Sequence, residues 1–228
     1  VATFVLVHGA WAGGWMWRSV VRDLRAQGHE AFAPTLTGLG ERVHLANPAI
    51  DLDTHVLDVV QLLRYERLEA VVLVGHSYGG MVITGVAECA PERITQLVYL
   101  DAFVPRDGES VADVLGRVRT RLFVRAAHVH GDGWRVPARR DRPEGDRLTD
   151  MPLKPGLQPL TLRDPTARTL PRTFVLFTAK PAGDLLRPVM RRMAVRAQRS
   201  GWGYRELPIE HGRGEGADAV ARLLLELA

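Results

Sequence analysis

Short, continuously apolar runs alternate along the chain with longer segments whose apolar residues recur every three or four positions. Residues 3–7, Thr-Phe-Val-Leu-Val, are β-branched or apolar and stop at His8-Gly9, which predicts a strand. Residues 15–27 read as an amphipathic helix ended by Gly28, and 31–33 as a short extended piece closed by Pro34. Between 51 and 65, Val56, Val59, Val60 and Leu63 stand at i, i+3, i+4 and i+7, the spacing of one helix face. Residues 70–74 form an unbroken apolar run, the pattern of a strand buried on both faces. A helix over 77–90 stops at Pro91. Further strands are predicted at 94–100, 174–177 and 204–207, and further helices at 185–199 and 217–227. Strands that alternate with helices imply an α/β fold with a mainly parallel sheet covered on both faces. Right-handed crossovers then gather the C-terminal ends of the strands along one edge, where ligands of such sheets bind.

One stretch breaks the alternation. Residues 105–172 are rich in Pro, Gly and Arg, with only short helical patches such as 111–123. This is too long for a plain loop. It reads as an insertion that caps the C-terminal edge of the sheet, anchored by Leu122, Phe123 and Trp134. The core then comprises 1–104 and 173–228, with the cap at 105–172.

The chemistry-bearing motif follows the buried strand. Gly75-His76-Ser77-Tyr78-Gly79 is G-x-S-x-G between a strand and a helix, the context in which this pattern presents a nucleophile. A sharp turn there holds the serine in a strained conformation, and glycines let strand and helix approach closely. Ser77 is thus the candidate nucleophile. The N–H of Tyr78, at a helix N-terminus, is a candidate oxyanion donor, and the N–H of Ala10, after the first strand, is a second.

The segments FVLVHGAWAGGWMW, PTLTGLGER, LDTHVLDVV, LVGHSYGGMVITG and YLDAFVPRDG resemble the α/β-hydrolase superfamily. The similar branch holds plant methyl esterases, hydroxynitrile lyases and bacterial carboxylesterases. The resemblance covers nearly the whole chain, is strongest over 3–108 and weakest in the cap. It implies an α/β-hydrolase fold with a cap, a Ser-His-acid triad, no cofactor and a small ester or thioester-like substrate. It places the general base at His211, after the last strand. There the chain reads Glu210-His211-Gly212-Arg213-Gly214 where the family has Gly-His-Asp, which suggests a looser loop. The acid is expected just after the penultimate strand, yet that segment is Phe177-Thr178-Ala179-Lys180, with no carboxylate before Asp184. Asp101, at the end of strand 94–100, is favoured; Asp184, which also reads as a helix cap, is the alternative, and a dyad without an acid is a third reading. His8 reads as a structural hydrogen-bonder. Trp11, Phe103 and Trp134 are candidate pocket residues, while Trp15 and Trp17 read as packing. Lys180 is the cation that cyanohydrin-type lyase chemistry would need.

Composition narrows the remaining classes. The 228 residues are 46% hydrophobic and 25% charged, enough apolar material for a sizeable core without staples. A single cysteine, Cys89, excludes an internal disulfide and a cysteine-based zinc site, and no metal is expected. No apolar run reaches ~20 residues, so no membrane span is visible. The short apolar start lacks a basic flank and does not read as a signal peptide, so the expected location is cytoplasmic.

The net charge is +4, and 28 of the 30 basic residues are arginine. Residues 105–172 hold thirteen Arg and one Lys against nine Asp and Glu, an excess of +5, and the rest of the chain carries −1. An Arg-rich coding bias would spread charge evenly. The alternative is a cap that attracts an anionic, carrier-linked or peptide-linked substrate through residues such as Arg139 and Arg140. No nucleic-acid module is visible. The leading expectation is a serine-dependent ester hydrolase. The alternatives are a biosynthetic cyclising, ring-opening or lyase enzyme on the same fold, and a non-catalytic small-molecule receptor.

Overall fold

The computed structural model describes residues 1–141, 144–181, 183–211 and 216–228. In chain order the first half runs β1 (Thr3–Val7), α1 (Arg18–Ala26), β2 (Glu30–Phe32), α2 (Leu52–Tyr65), β3 (Val71–His76), α3 (Gly79–Cys89) and β4 (Ile94–Leu100). A 3₁₀ turn at Gly14–Trp17 precedes α1, so the helix expected from residue 15 begins three residues later. Between β4 and the next core strand lie α4 (Val111–Leu115), α5 (Arg117–His130), β5 (Arg135–Val136), β6 (Met151–Pro152), α6 (Lys154–Leu157) and α7 (Pro165–Thr169). The chain closes with β7 (Arg172–Phe177), α8 (Arg187–Arg199), β8 (Gly203–Leu207) and α9 (Ala217–Leu227).

Six strands form one sheet in the order β2-β1-β3-β4-β7-β8, and every pairing is parallel. Alternation along the strands divides the core into two layers. Val5, Val7, Leu73, Leu97 and Tyr99 pack with residues of α2, α3 and α8 on one face. Phe4, Leu6, Val72, Val74, Val98 and Leu100 pack with residues of α1 and α9 on the other. The buried helix α2 starts on a reciprocal cap in which Asp51 accepts from the Thr54 amide and Thr54 answers the Asp51 amide. His55 lies inside α2 and is buried.

The inserted segment is more helical than its composition suggests. The patch expected at 111–123 is two helices. Gly116, at φ +84°, ends α4, and α5 continues to His130. Ser110 and Asp113 cap α4 reciprocally. Strands β5 and β6 form a small antiparallel pair. The segment is tied to the core by the Trp11 indole N–H donating to the Val136 carbonyl at 3.0 Å, and by the Thr149 amide donating to the Trp11 carbonyl at 2.9 Å.

Candidate active site

The ends of β3 and β4 lie side by side, His76 opposite Leu100, so Ser77 and Asp101 leave the sheet at the same edge. Both residues adopt positive φ, +53° for Ser77 and +46° for Asp101. Such a backbone costs a non-glycine residue ~1–3 kcal/mol and persists only where its surroundings over-determine it. Here the Ser77 amide donates to the Leu100 carbonyl, the Asp101 amide to the Val175 carbonyl, and the Phe103 amide to the Ser77 carbonyl. The turn also needs its glycines. A Cβ on Gly80 would sit 2.2 Å from the Phe103 carbonyl oxygen, and one on Gly75 2.6 Å from the Gly79 oxygen.

His211, beyond β8, closes the arrangement. Its Nε2 lies 3.0 Å from Ser77 Oγ, and its Nδ1 lies 2.5 Å from Asp101 Oδ2. Of the two candidate carboxylates, the structure brings Asp101 to the imidazole. Asp184 instead accepts the Leu186 amide at 2.7 Å, just ahead of α8, as a helix-start residue would. Gly212, Arg213 and Gly214, which departed from the family pattern, lie outside the described residues.

Asp101 has a second partner that the sequence did not reveal. Lys180 Nζ is 2.6 Å from Asp101 Oδ1 and 2.6 Å from the Phe177 carbonyl oxygen, and the Phe177 amide donates to the same Oδ1 at 3.2 Å. Both side chains of the ion pair are essentially solvent-free, at 2% exposure for Lys180 and 0% for Asp101. Burial alone would raise the Asp101 carboxyl; His211 and Lys180 outweigh it and hold the group below its ordinary range. Lys180, the candidate lyase cation, thus points at the acid and lines neither of the cavities described below.

Neighbouring histidines have other roles. His76, fully buried, stacks on Phe177, its ring 4.7 Å from that of His211. Burial, reinforced by His211, pushes its pKa well below the ordinary value, so it stays neutral. His8 bridges Gly9 and Leu36 through its two ring nitrogens, and burial lowers it to about 4. This agrees with its structural reading. His55 Nδ1 meets the Tyr78 hydroxyl at 2.9 Å, which ties the buried Tyr78 side chain to α2. Neither the Ala10 nor the Tyr78 amide makes a turn, loop or cap bond among the described residues.

Two cavities meet at Ser77. The smaller, about 90 Å³, is walled by Phe103, Val111, Ala112, Leu115, Val124 and Leu157, and Tyr78 borders it. The larger, about 560 Å³, has an apolar floor of Trp15, Trp17, Phe177 and Val220 and includes His211, Arg119, Arg139 and Asp184. Trp11 lines both and packs on Phe123. Phe103 lines the smaller, as expected. Trp134 lines neither. It sits in the turn before β5 beneath the Arg135 guanidinium, and the hairpin supplies Val136 and Met151 to the wall instead. Trp15 and Trp17 pack as expected and also border the larger cavity. Leu122 is exposed rather than an anchor. Arg139 pairs with Asp141 and Arg140 with Asp150. Among the described residues, no group of His, Cys, Asp and Glu could hold a metal ion, and no helix is long and apolar enough to cross a membrane.

A parallel sheet with a serine on the β3–α3 elbow and a histidine beyond the last strand defines a class, and comparison with known proteins agrees. Residues 4–220 match the model of the alpha/beta hydrolase family, and the chain belongs to that family. It is 53% identical over 115 residues to a carbendazim hydrolyzing esterase of Nocardioides sp. (strain SG-4G), covering 50% of this chain and 48% of that protein. It is 28% identical over 210 residues to a putative chloroplastic methylesterase 14 of Arabidopsis thaliana, covering 90% of this chain and 57% of that one. The chain thus spans about half the length of the curated relatives it matches. Among solved structures, an extracellular alpha/beta-hydrolase from a Paenibacillus species superposes with a TM-score of 0.84 at 24% identity, covering 99% and 98% of the two chains, a likeness of fold.

Proposed function

We propose that this chain is a serine-dependent hydrolase of small carboxylic esters or related acyl compounds. The observation that carries the reading is the unbroken chain from Ser77 Oγ through His211 to Asp101, set where two cavities meet. In this reading Ser77 Oγ attacks the substrate carbonyl while its proton passes to His211 Nε2. The Ala10 and Tyr78 amides hold the developing oxyanion, and Asp101 orients the imidazole and stabilises its cation. Collapse of the intermediate breaks the bond to the leaving group, which takes the proton from His211. Water, activated by the same imidazole, then releases the acid from Ser77. The curated relatives' names, an esterase and a methylesterase, support ester chemistry.

The test is covalent. A fluorophosphonate should add once per chain, on the peptide carrying Ser77. Turnover of a reactive ester in ¹⁸O-labelled water should place the label in the acid product. Ligand binding with neither labelling nor turnover would make the chain a receptor, and turnover without label in the product would indicate lyase or cyclising chemistry.

A further inference from the structure

The unequal cavities carry information about the substrate, and the inference rests on reading Ser77 as nucleophile and His211 as base. His211 lines the larger cavity and not the smaller. The proton that His211 Nε2 takes from Ser77 must next go to the leaving oxygen or nitrogen, so the leaving group has to lie within hydrogen-bond reach of that nitrogen. The acyl substituent is on the opposite side of the tetrahedral carbon. We propose that the smaller cavity is the acyl site and the larger one the leaving-group site. The favoured substrates are then esters of a compact apolar acid with a bulky alcohol.

The sizes set the direction of the preference: the acyl site is about 90 Å³ and the leaving-group site about 560 Å³, so a short acyl chain is favoured over a long one. Among the described residues, the polar side chains of the acyl-site wall are those of Thr120, Trp11, Ser77 and Tyr78. The larger cavity has room for a fused-ring leaving group over its tryptophan floor. Arg119, Arg139, His130 and Asp184 lie in its wall to meet polar substituents.

Two ester series test the assignment. With p-nitrophenyl esters, kcat/KM should fall at least 100-fold from butanoate to octanoate. With acetates, it should hold or rise from methyl to naphthylmethyl alcohol. Leu157 borders the acyl site from an exposed position on α6, so Leu157→Ala can open that site without disturbing the core. It should raise the octanoate-to-acetate ratio at least tenfold, and Ala112→Phe should lower the butanoate-to-acetate ratio by as much. Octanoate turned over as well as butanoate, or bulky acetates rejected while p-nitrophenyl acetate is turned over, would overturn the assignment. The absence of any turnover together with an unlabelled Ser77 would instead remove the hydrolase reading beneath it.

A separate observation, the solvent-free Lys180–Asp101 pair, carries a second inference: Lys180 is a positioning residue for the acid. β4 and β7 are neighbours in the sheet, so the segment after β7 reaches the end of β4, and the cation there clamps one carboxylate oxygen while His211 takes the other. Among the described residues, Asp101 from β4 bonds the His211 imidazole, Lys180 from beyond β7 shares that carboxylate, and the neutral His76 from β3 lies with its ring 4.7 Å away. Lys180 draws on the same carboxylate that would stabilise protonated His211. In Lys180→Met that carboxylate acts on His211 alone, so the imidazolium gains stability. The acid limb of the kcat/KM profile should then move to higher pH by at least half a unit. Lys180→Arg, which keeps the charge, should leave the limb in place. A purely structural lysine would lower the folded fraction of Lys180→Met and leave the limb of the surviving enzyme unmoved, and that outcome would overturn the inference.

Discussion

Ser77→Ala is expected to lower kcat for a p-nitrophenyl ester by about 10⁶-fold, the scale seen when a serine nucleophile acting in a hydrogen-bonded unit is removed. The loss should fall on kcat rather than KM. The acyl site is walled largely by apolar side chains such as Phe103, Val111 and Leu115, which the substitution leaves in place. A residue of rate above water should survive, because the amides of Ala10 and Tyr78 belong to the backbone and remain. The variant should fold as well as its parent. Ser77 is 7% exposed, and its backbone bonds to Leu100 and Phe103 do not involve the side chain. Ser77→Gly should be as inactive and no less stable in urea than Ser77→Ala, since glycine adopts φ +53° without the Cβ penalty. Retention of more than a hundredth of parental kcat in either variant would contradict the nucleophile assignment.

Much of this site can be read in the chain before folding, because it is built from local signals. G-x-S-x-G after an unbroken apolar run fixes both the residue and its place at a strand end, and β1, β4 and α9 fall on the expected residues. Asp101 was legible for the same reason, since it directly follows Leu100 at the end of β4. The parts that stayed hidden are those that depend on pairing between distant strands or on the direction of one side chain. Lys180 meets Asp101 across 79 residues only because β7 lies beside β4. A lone lysine carries no sequence mark that it will be buried. Trp134 reads as a pocket residue because it is aromatic and in the insertion, but wall membership is decided by a pair of two-residue strands that periodicity cannot orient. Which arginine meets which carboxylate, as Arg139 does Asp141 and Arg140 does Asp150, is likewise invisible in a charge count.

Asp101→Asn should lower kcat by about 10⁴-fold, while Asp184→Asn should stay within a few-fold of the parent. The asymmetry follows from geometry. Asp101 Oδ2 is 2.5 Å from His211 Nδ1, whereas the Asp184 carboxylate is bound to the Leu186 amide. An asparagine amide facing Nδ1 favours the wrong imidazole tautomer, leaving Nε2 unable to accept the serine proton. The same substitution also strips Lys180 of its carboxylate partner in a solvent-free position. Breaking a buried pair in this way costs about 3–5 kcal/mol, so urea unfolding should shift as well as activity. These two effects can be separated. In the double variant Asp101→Asn, Lys180→Met the orphaned ammonium is gone, so most of the lost stability should return. Activity should not return, because the tautomer problem at His211 is untouched. If activity recovered together with stability, Asp101 would be a scaffold residue and the site a Ser77–His211 dyad. If Asp184→Asn proved the inactive variant, the acid would have to be reassigned to the segment after β7.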